Sequence, residues 1–338
     1  MYKKIIIKSA LLIILLIAIG FIYKHCFFEQ DIQKYSDVID SVRNVPNDAN
    51  IIYVGESSNI TFRADDIDKR PISAFLAEHF PTLNVYNITK SAAHAGIYKI
   101  LLENLSPDNK VKTVIVTLNL RSFNAQWIYS DLETPLQKSM VLLKDYPPIF
   151  NRFLLSFKAY DIKNENERKA QIHRKWKRDI LKFPYHFKFK NVIEWDGWIY
   201  HNGFKNKNGQ VDSALTVLAC HFIKGYAFQI DTLTNPRIKD LNVIVALAKK
   251  RGWRLVFNLM AENTQKAKEL VGDDLIYLIN QNTNLLINYY QNKGVKVINN
   301  LNEIEDEEFV DQNWTTEHYA EKGRKKIAYK VANSIKQW

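Results

Sequence analysis

The sequence has very few cysteines, and this limits the kinds of site that it can contain. Cys26 and Cys220 are the two present, so the chain has no disulfide framework and no C-x-x-C zinc motif. Its histidines share no short spacing of the kind that zinc ligands show. A P-loop, a G-x-G-x-x-G motif after a strand and an EF-hand loop are also missing. We therefore expect neither a metal nor a bound cofactor.

Long hydrophobic runs are scarce too, and one alone is long enough to cross a membrane. Residues 5–23 are apolar except for Lys8 and Ser9, and about 20 apolar residues span a bilayer as a helix. Lys3 and Lys4 precede this run. Basic residues next to a spanning helix favour the cytoplasmic side, so we expect the N-terminus in the cytoplasm and the rest of the chain outside.

A cleaved signal peptide is the alternative interpretation of this run. Cleavage needs small residues, but residues 20–24 read Gly-Phe-Ile-Tyr-Lys, which favours an uncleaved anchor. The sequence thus predicts four parts: a cytoplasmic tail at 1–8, a transmembrane anchor at 9–25, a polar helical stalk at 26–49 and an extracytoplasmic domain at 50–338.

The composition is that of a folded, basic protein. Hydrophobic residues make up 46% and charged residues 25%, which excludes a disordered chain. The formal net charge of +11 favours anionic partners, namely a membrane surface, an envelope polymer or nucleic acid. Because the domain is expected outside the cytoplasmic membrane, we predict no nucleic-acid partner. The lipid bilayer and an anionic cell-envelope glycan or polymer are the expected partners.

Short apolar runs alternate with helical patterns in two stretches of the domain. Strands are expected at 51–54, 83–88, 113–118, 254–259 and 295–298. Helices are expected at 72–80, 97–104, 241–251, 275–293 and 322–336. Strands that alternate with helices indicate an α/β protein with a parallel sheet and right-handed crossovers.

The alternation stops at about residue 122 and resumes near 236, which indicates an insertion at 122–235. Within it, residues 158–210 carry 13 Lys and Arg against 6 Asp and Glu, together with many aromatic residues. Two interpretations stay open: a solvated helical insertion with a small aromatic core, or a lid or docking surface for an anionic polymer or a membrane partner. Asp196-Gly197, between two tryptophans, predicts a hairpin turn.

Two short segments, far apart in the chain, contain the residue types that acyl transfer needs. Ser57 follows the first strand, after a glycine that allows a sharp turn, and His318 lies between the last strand and the last helix. Sites of open α/β sheets lie beyond the carboxyl ends of the strands. A serine hydroxyl needs an adjacent base, usually histidine. The alternatives are a serine that caps a helix and a surface histidine.

Other residues qualify for the supporting roles of such a site. A catalytic histidine needs a carboxylate at Nδ1; Asp311 is preferred over Glu317, because side chains adjacent in sequence usually diverge. An oxyanion needs hydrogen-bond donors, and candidates stand at the turn 91–94 and at Asn119. Asn119 either caps its turn or points into the site. His94 either binds substrate or is an ordinary loop residue.

In order, these segments resemble the four blocks of the SGNH, or GDSL, hydrolase superfamily. Residues 55–57, Gly-Glu-Ser, resemble the G-D-S block, with glutamate in place of aspartate. Residues 87–92 resemble N-x-x-x-S-G, with Ala92 in place of the glycine. Asn119 resembles the asparagine of the third block, and residues 318–323 resemble the H-x-x-x-x-G ending of the last block.

The resemblance covers roughly 45–130 and 236–336 and implies a flavodoxin-like three-layer α/β/α fold. It implies that Ser57 is the nucleophile and that the backbone N–H groups of Ser57 and Ala92, with Asn119, stabilise the oxyanion. The family's acid stands three residues before the histidine, where this chain has Thr315. Either Asp311 replaces that acid, or the site is a Ser-His dyad.

A membrane anchor followed by an outward SGNH domain is similar to the D-alanyl-lipoteichoic-acid biosynthesis protein D family and to alginate-acetylation-like proteins. This resemblance implies a membrane-bound O-acyltransferase as partner and a cell-envelope glycan or polymer as substrate. The first hypothesis is a membrane-anchored serine esterase or O-acyltransferase, two activities that share the same Ser-His chemistry. The second is a catalytically degenerate module that docks on such an acyltransferase or glycan through 158–210.

Overall fold

A five-stranded parallel sheet forms the centre of the protein in the computed structural model, which describes residues 2–30, 37–130, 132, 154, 157 and 163–336. The strands, in chain order and with a separate short ribbon, are β1 (Ala49–Gly55), β2 (Asn84–Thr89), β3 (Thr113–Leu118), β4 (Phe204–Lys205), β5 (Val211–Asp212), β6 (Arg254–Leu259) and β7 (Lys296–Asn299). The large sheet has the order β2-β1-β3-β6-β7, and all its neighbours are parallel. This order is that of flavodoxin-like folds.

The strands are apolar because the sheet is buried on both faces. Successive side chains of a strand point to opposite faces. In β1, Ile52 and Val54 belong to one core cluster, whereas Ile51 and Tyr53 belong to the other. Burial of both sets explains a continuous apolar run in place of a polar–apolar alternation.

Helices cover the two faces and complete a three-layer α/β/α architecture. Ile72–Glu78 and Glu321–Lys336 pack on one face. On the other face lie Ala95–Glu103, Pro236–Arg251, Thr264–Val271 and Asp273–Gln291. The predicted α/β class and its parallel sheet are therefore confirmed. The helix expected at 241–251 begins earlier than predicted, because Asn235 caps it and Pro236 occupies its first position.

The helix Asp37–Arg43 differs from the stalk predicted at 26–49. Three of its side chains are buried in the core next to the helix Ala95–Glu103, namely Val38, Ile39 and Val42. Phe28 joins the same core cluster. Burial of these apolar groups removes them from water, so the folded domain begins before residue 50.

The described part of the insertion is mainly helical, while residues 131, 133–153, 155–156 and 158–162 lie outside the described residues. Its helices are Ala125–Ile128, Glu165–Arg178, Val192–Asn202 and Ser213–Tyr226. The hairpin turn predicted at Asp196-Gly197 is wrong, because both residues lie within a helix that Asn191 caps. The hairpin is formed instead by the antiparallel strands β4 and β5.

Aromatic side chains of the 158–210 segment pack largely on one another. The ring of Phe187 lies 4.1 Å from that of Phe183 and 4.9 Å from that of the buried Trp195. Trp198 is more exposed, and the Lys188 amine lies 3.8 Å from the centre of its ring. The described part of the segment therefore contains both a small aromatic core and an exposed basic-aromatic surface.

An N-terminal helix, Tyr2–Cys26, is long and apolar enough to cross a membrane. Its most apolar window has a mean hydropathy of 2.9, and 6% of that window is buried inside the protein. The helix includes residues 2–8, which were predicted to belong to a cytoplasmic tail at 1–8. Its length and composition favour a single-pass anchor.

Candidate active site

Ser57 and His318 meet at the carboxyl-terminal edge of the sheet. His318 Nε2 lies 2.9 Å from Ser57 Oγ, and His318 Nδ1 lies 2.6 Å from Asp311 Oδ2. A hydroxyl, an imidazole and a carboxylate in this order form the arrangement that activates a serine nucleophile. Of the two carboxylates considered from the sequence, Asp311 is the one that contacts the ring.

The position of Ser57 is fixed by the turn that follows β1. Glu56 caps the short helix Ser57–Ile60, because its Oε2 accepts a hydrogen bond of 3.0 Å from the Ser58 N–H. The capping role considered for a serine thus belongs to Glu56, and the Ser57 hydroxyl projects to His318.

Glycine is needed at position 55 because its surroundings leave little room for a side chain, and not because its backbone is left-handed. A Cβ on Gly55 would lie 3.0 Å from the ring of Tyr53 and 3.2 Å from the Cβ of Asn59. Gly55 is not among the residues of positive φ. A larger side chain at position 55 would therefore push the turn that contains Ser57 away from the sheet.

Asn59 ties the same short helix to its neighbours. Its side-chain amide nitrogen lies 2.9 Å from Asn87 Oδ1 and 2.8 Å from Thr89 Oγ1, both at the end of β2. Its oxygen accepts a 2.8 Å hydrogen bond from the Ser73 N–H. Because Asn59 is fully buried, these bonds hold Ser57 against two separate elements.

The loop that contains His318 closes on itself. Phe309 and Tyr319 form an isolated antiparallel bridge, and the Val310 N–H donates a 2.9 Å hydrogen bond to the His318 carbonyl. This closure places the Asp311 side chain beside the imidazole seven residues later. The Thr316 hydroxyl donates to the same Asp311 oxygen, so the carboxylate has two partners although its side chain is 36% exposed.

Glu317 faces the opposite side of this loop and joins a buried ion pair. It is 1% exposed, accepts a 2.6 Å hydrogen bond from Arg121 Nε and accepts a second one from the same guanidinium. Arg121 lies just beyond the end of β3. The pair therefore ties the histidine loop to the central sheet and helps to place His318 opposite Ser57.

The role of orienting acid, for which Glu317 was the alternative, therefore belongs to Asp311, which contacts His318 Nδ1. Glu317 also does not line the cavity beside Ser57. The physical reason is the extended backbone, which turns adjacent side chains to opposite sides. In the structure Thr315, Glu317 and Tyr319 are buried, whereas Thr316 and His318 between them are partly exposed.

A second buried carboxylate, Glu262, lies close to this ion pair. It accepts a 3.2 Å hydrogen bond from the Leu120 N–H and contacts the Tyr226 hydroxyl. Burial, followed by the negative charge of Glu317, raises the pKa of Glu262 well above its ordinary value. Burial also raises the pKa of Tyr226.

Ala92 occupies the position at which the resemblance expects a glycine. Its backbone conformation is one that glycine adopts more easily than alanine. Its φ of 59° lies in the left-handed region, which costs a residue with a Cβ about 1–2 kcal/mol. Ala92 and Ser57 both line the cavity. Within the described residues, the backbone N–H of neither one donates a hydrogen bond, which leaves both donors available to an oxyanion.

Asn119 and His94 also line this cavity. The Asn119 amide nitrogen lies 3.3 Å from Glu317 Oε2, and its second N–H adds a further donor. His94 Nδ1 accepts a 3.1 Å hydrogen bond from the Gly96 N–H and so caps the helix Ala95–Glu103. The neutral His94 ring therefore has its proton on Nε2.

The cavity beside Ser57 has a volume of about 320 Å³, the size of a small-ligand site. Eight of its lining residues were not predicted from the sequence in any site role, namely Glu56, Arg121, Ser122, Trp127, Ser130, Leu132, Arg237 and Thr316. Arg121 follows the end of β3 by three residues, so its position near the site could have been predicted from the sequence. Trp127 lies near the start of the insertion and Arg237 just after its end, where no strand pattern indicated their position.

Metal-type clusters are not found in the part of the chain that the structure describes: no group of three or more His, Cys, Asp or Glu side chains there is arranged to hold an ion. The groups assembled at this site are a hydroxyl, an imidazole, a carboxylate and backbone N–H donors. Such a set can transfer an acyl group.

Comparisons with known proteins add little to this geometry. No family model matches the chain, and no curated protein matches it. Eleven chains of solved structures do match. One crystal structure aligns with 86% of this chain and 97% of its own, at 10% sequence identity and a TM-score of 0.35, a similarity too weak to carry any argument here.

Proposed function

We propose that this protein is a membrane-anchored serine esterase or O-acyltransferase. The observation that carries the proposal is the contact chain from Ser57 through His318 to Asp311, with distances of 2.9 Å and 2.6 Å. These are hydrogen-bond distances between a nucleophile, its base and the acid behind the base. The contacts join residues that are 261 positions apart, so chance neighbourhood in the sequence does not account for them.

In the first half of the reaction, Ser57 Oγ attacks the acyl carbonyl carbon while its proton moves to His318 Nε2. Asp311 stabilises the imidazolium that forms. The oxyanion accepts hydrogen bonds from the Ser57 and Ala92 N–H groups and from the Asn119 amide. The bond to the leaving alcohol then breaks, that alcohol takes the proton from His318, and the acyl group stays on Ser57.

In the second half, a hydroxyl group attacks the acyl carbon and gives its proton to His318. The bond from carbon to Ser57 Oγ breaks, and the proton returns to that oxygen. If the hydroxyl belongs to water, the product is a free acid. If it belongs to a sugar, the acyl group is transferred. The same residues serve both outcomes.

The proposed setting is the outer side of the cytoplasmic membrane, with a cell-envelope glycan or polymer as substrate and a membrane-bound O-acyltransferase as partner. The apolar helix Tyr2–Cys26 supports an anchor, and the basic residues Lys3, Lys4 and Lys8 support an outward domain. The net charge of +11 favours an anionic surface or polymer. The acyl chemistry of the partner follows from the SGNH resemblance.

One observation favours a second candidate, a non-enzymatic module that docks on an anionic glycan or on the acyltransferase. Trp198, Tyr200 and Tyr185 are exposed, and Lys188 stacks on Trp198. Exposed aromatic rings beside basic groups are typical of binding surfaces. This surface is compatible with an enzyme as well, so the two candidates differ in whether Ser57 reacts.

The test compares variants of the full-length protein on p-nitrophenyl acetate. We expect Ser57→Ala and His318→Ala to lower kcat/KM by at least ~10³-fold, and Asp311→Asn by ~10²–10⁴-fold, because each loses a member of one catalytic unit. Ser58→Ala is the matched control, since its buried hydroxyl has no hydrogen-bond partner among the described residues. Circular dichroism checks that each variant is folded.

A fluorophosphonate probe gives an independent readout. It should label the wild-type protein at Ser57 and leave Ser57→Ala unlabelled. Wild-type turnover in Ser57→Ala would refute the proposed nucleophile. Failure of the intact wild-type protein both to react with the probe and to hydrolyse the ester would favour the binding module.

A further inference from the structure

The Ser57 hydroxyl has two acceptors and a single proton. His318 Nε2 lies 2.9 Å from Ser57 Oγ, and Glu56 Oε2 lies 2.8 Å from the same atom. Glu56 is 4% exposed and lines the cavity. A buried carboxylate thus contacts the reacting oxygen directly, in addition to the base.

Glu56 has fewer hydrogen-bond donors than its two oxygens can use. Oε2 receives the Ser57 O–H and the Ser58 N–H, whereas Oε1 is buried without a partner among the described residues. A carboxylate offers about four acceptor sites. A buried acceptor without a donor is energetically unfavourable, so Glu56 favours any ligand that brings an O–H group into the cavity.

Acylation of Ser57 removes a further hydrogen-bond donor from Glu56. The ester oxygen of an acyl-serine has no proton, so Oε2 loses one of its two donors while Oε1 stays without one. His318 Nε2 is then also ready to accept a proton. Because both acceptors lie within 2.9 Å of one oxygen, a molecule that approaches the acyl carbon can donate to both.

We propose that Glu56 is a further catalytic residue, which binds the second O–H of the acceptor that removes the acyl group from Ser57. This inference rests on the proposed function. For water, the second O–H is its other proton. For a sugar, it is the hydroxyl next to the attacking one, so the preferred organic acceptor is a 1,2-diol.

Glu56 neither gains nor loses a proton in this deacylation step. The attacking oxygen forms a bond to the acyl carbon and gives its proton to His318 Nε2. The second O–H of the acceptor donates a hydrogen bond to the Glu56 carboxylate and keeps its proton. The bond from the acyl carbon to Ser57 Oγ then breaks, and His318 returns the proton to that oxygen.

A purely structural role of Glu56 as a helix cap makes different predictions. Glu56→Gln keeps the shape of the side chain, and its amide oxygen still accepts from the Ser58 N–H. The same oxygen faces Ser57 Oγ, but a neutral amide oxygen is a weaker acceptor than a carboxylate oxygen. The substitution therefore keeps the cap and weakens the hydrogen bond to the second O–H of the acceptor.

The experiment measures both halves of the reaction in full-length protein with p-nitrophenyl acetate. Stopped-flow bursts of p-nitrophenol report acylation, the steady state reports deacylation, and intact-mass spectrometry detects acetyl-Ser57. For Glu56→Gln we expect acylation within about 3-fold of wild type, deacylation at least ~10-fold slower, and an acetyl adduct that accumulates. Ser58→Ala, which keeps the Ser58 N–H, should behave as wild type.

Added alcohols test the acceptor class. Wild-type protein should transfer acetyl to ethylene glycol at least ~5-fold more efficiently, per hydroxyl, than to ethanol, and Glu56→Gln should lose this preference. Equal slowing of both halves, or unchanged deacylation, in folded Glu56→Gln would overturn the inference. If that variant does not fold, the wild-type preference decides, and its absence overturns the inference. A wild-type protein that neither hydrolyses p-nitrophenyl acetate nor forms acetyl-Ser57 would overturn the proposed function itself.

Discussion

At the scale of single residues, Ala92 has a strained backbone and lies in the candidate active site. Among the described residues it is the one non-glycine residue with a positive φ, and it lines the cavity beside Ser57. Backbone strain of this kind persists when the surrounding structure holds the residue in place, and it often occurs at functional sites. Here the strained residue lines the same cavity as Ser57.

Substitutions of Ala92 should separate the role of its backbone from that of its side chain. Ala92→Gly removes about 1–2 kcal/mol of strain and adds about 0.4–1 kcal/mol of unfolded-state entropy. We therefore expect a free energy of unfolding within about 1 kcal/mol of wild type and ester turnover within a few-fold. Ala92→Val puts a branched Cβ into the left-handed region and should lower stability by about 2 kcal/mol or more.

Urea unfolding and ester turnover, measured on the same preparations, check these expectations. A glycine variant that is less stable than the valine variant would show that Ala92 does not adopt the left-handed conformation.

The sequence made some of the site predictable, for reasons that differ between residues. Ser57 and His318 follow or precede recognisable elements at the carboxyl edge of a parallel sheet, so their meeting was expected and is observed. The Arg121–Glu317 pair was not expected, because charged residues are usually exposed. Nothing local marks a partner that lies 196 positions away.

At the scale of elements, strands were easier to predict than the insertion. β3 and β6 have the bounds expected at 113–118 and 254–259, because continuous β-branched and apolar runs leave little freedom in a buried sheet. Asp196-Gly197 predicted a turn, but both residues lie within the helix Val192–Asn202. The neighbouring Trp195 of that helix packs in an aromatic cluster. Tertiary packing there outweighs the turn propensity.

Glu262 links three elements at the back of the site. It lies in the loop that follows β6, accepts from the Leu120 N–H after β3 and contacts Tyr226 at the end of the helix Ser213–Tyr226. Its fully buried position raises its pKa, as does the charge of Glu317. The protonation of this one carboxyl group is therefore coupled to the packing of all three.

This raised pKa predicts how stability depends on pH. Above the unfolded-state pKa of about 4.3, the folded protein retains a proton on Glu262 that the unfolded chain releases. The stabilising contribution is complete below that pKa and is lost as pH rises towards the folded-state pKa. Between about pH 5 and 8, Glu262→Gln should therefore show a weaker fall in the free energy of unfolding than wild type.

Urea titrations at several pH values measure this dependence, with Glu103→Gln as control because Glu103 is exposed. An unchanged pH slope in Glu262→Gln would contradict the raised pKa.

At the scale of the whole molecule, the two cysteines offer a direct test of orientation. Cys26 is exposed at the end of the N-terminal helix, and Cys220 is buried. Burial raises the pKa of the Cys220 thiol to about 12, so it remains an unreactive thiol near neutral pH. A membrane-impermeant maleimide should therefore report on Cys26 alone.

In sealed right-side-out membrane vesicles, we expect this maleimide to label the wild-type protein and to leave Cys26→Ser unlabelled. The expected result follows from the basic residues at the N-terminus, which favour the cytoplasmic side. Labelling that appears only in inverted vesicles would place the domain in the cytoplasm and exclude an envelope substrate.

The separation of Ser57 from His318 also has a consequence for biosynthesis. Ribosomes add roughly 5–20 residues per second, so the 261 residues from position 58 to His318 take about 13–50 s to synthesise. During that interval the nascent polypeptide contains the alcohol without its imidazole. Under the proposed mechanism, a growing chain therefore cannot acylate itself or its surroundings, and reactivity begins only after the last strand and the loop that follows it have been translated and folded.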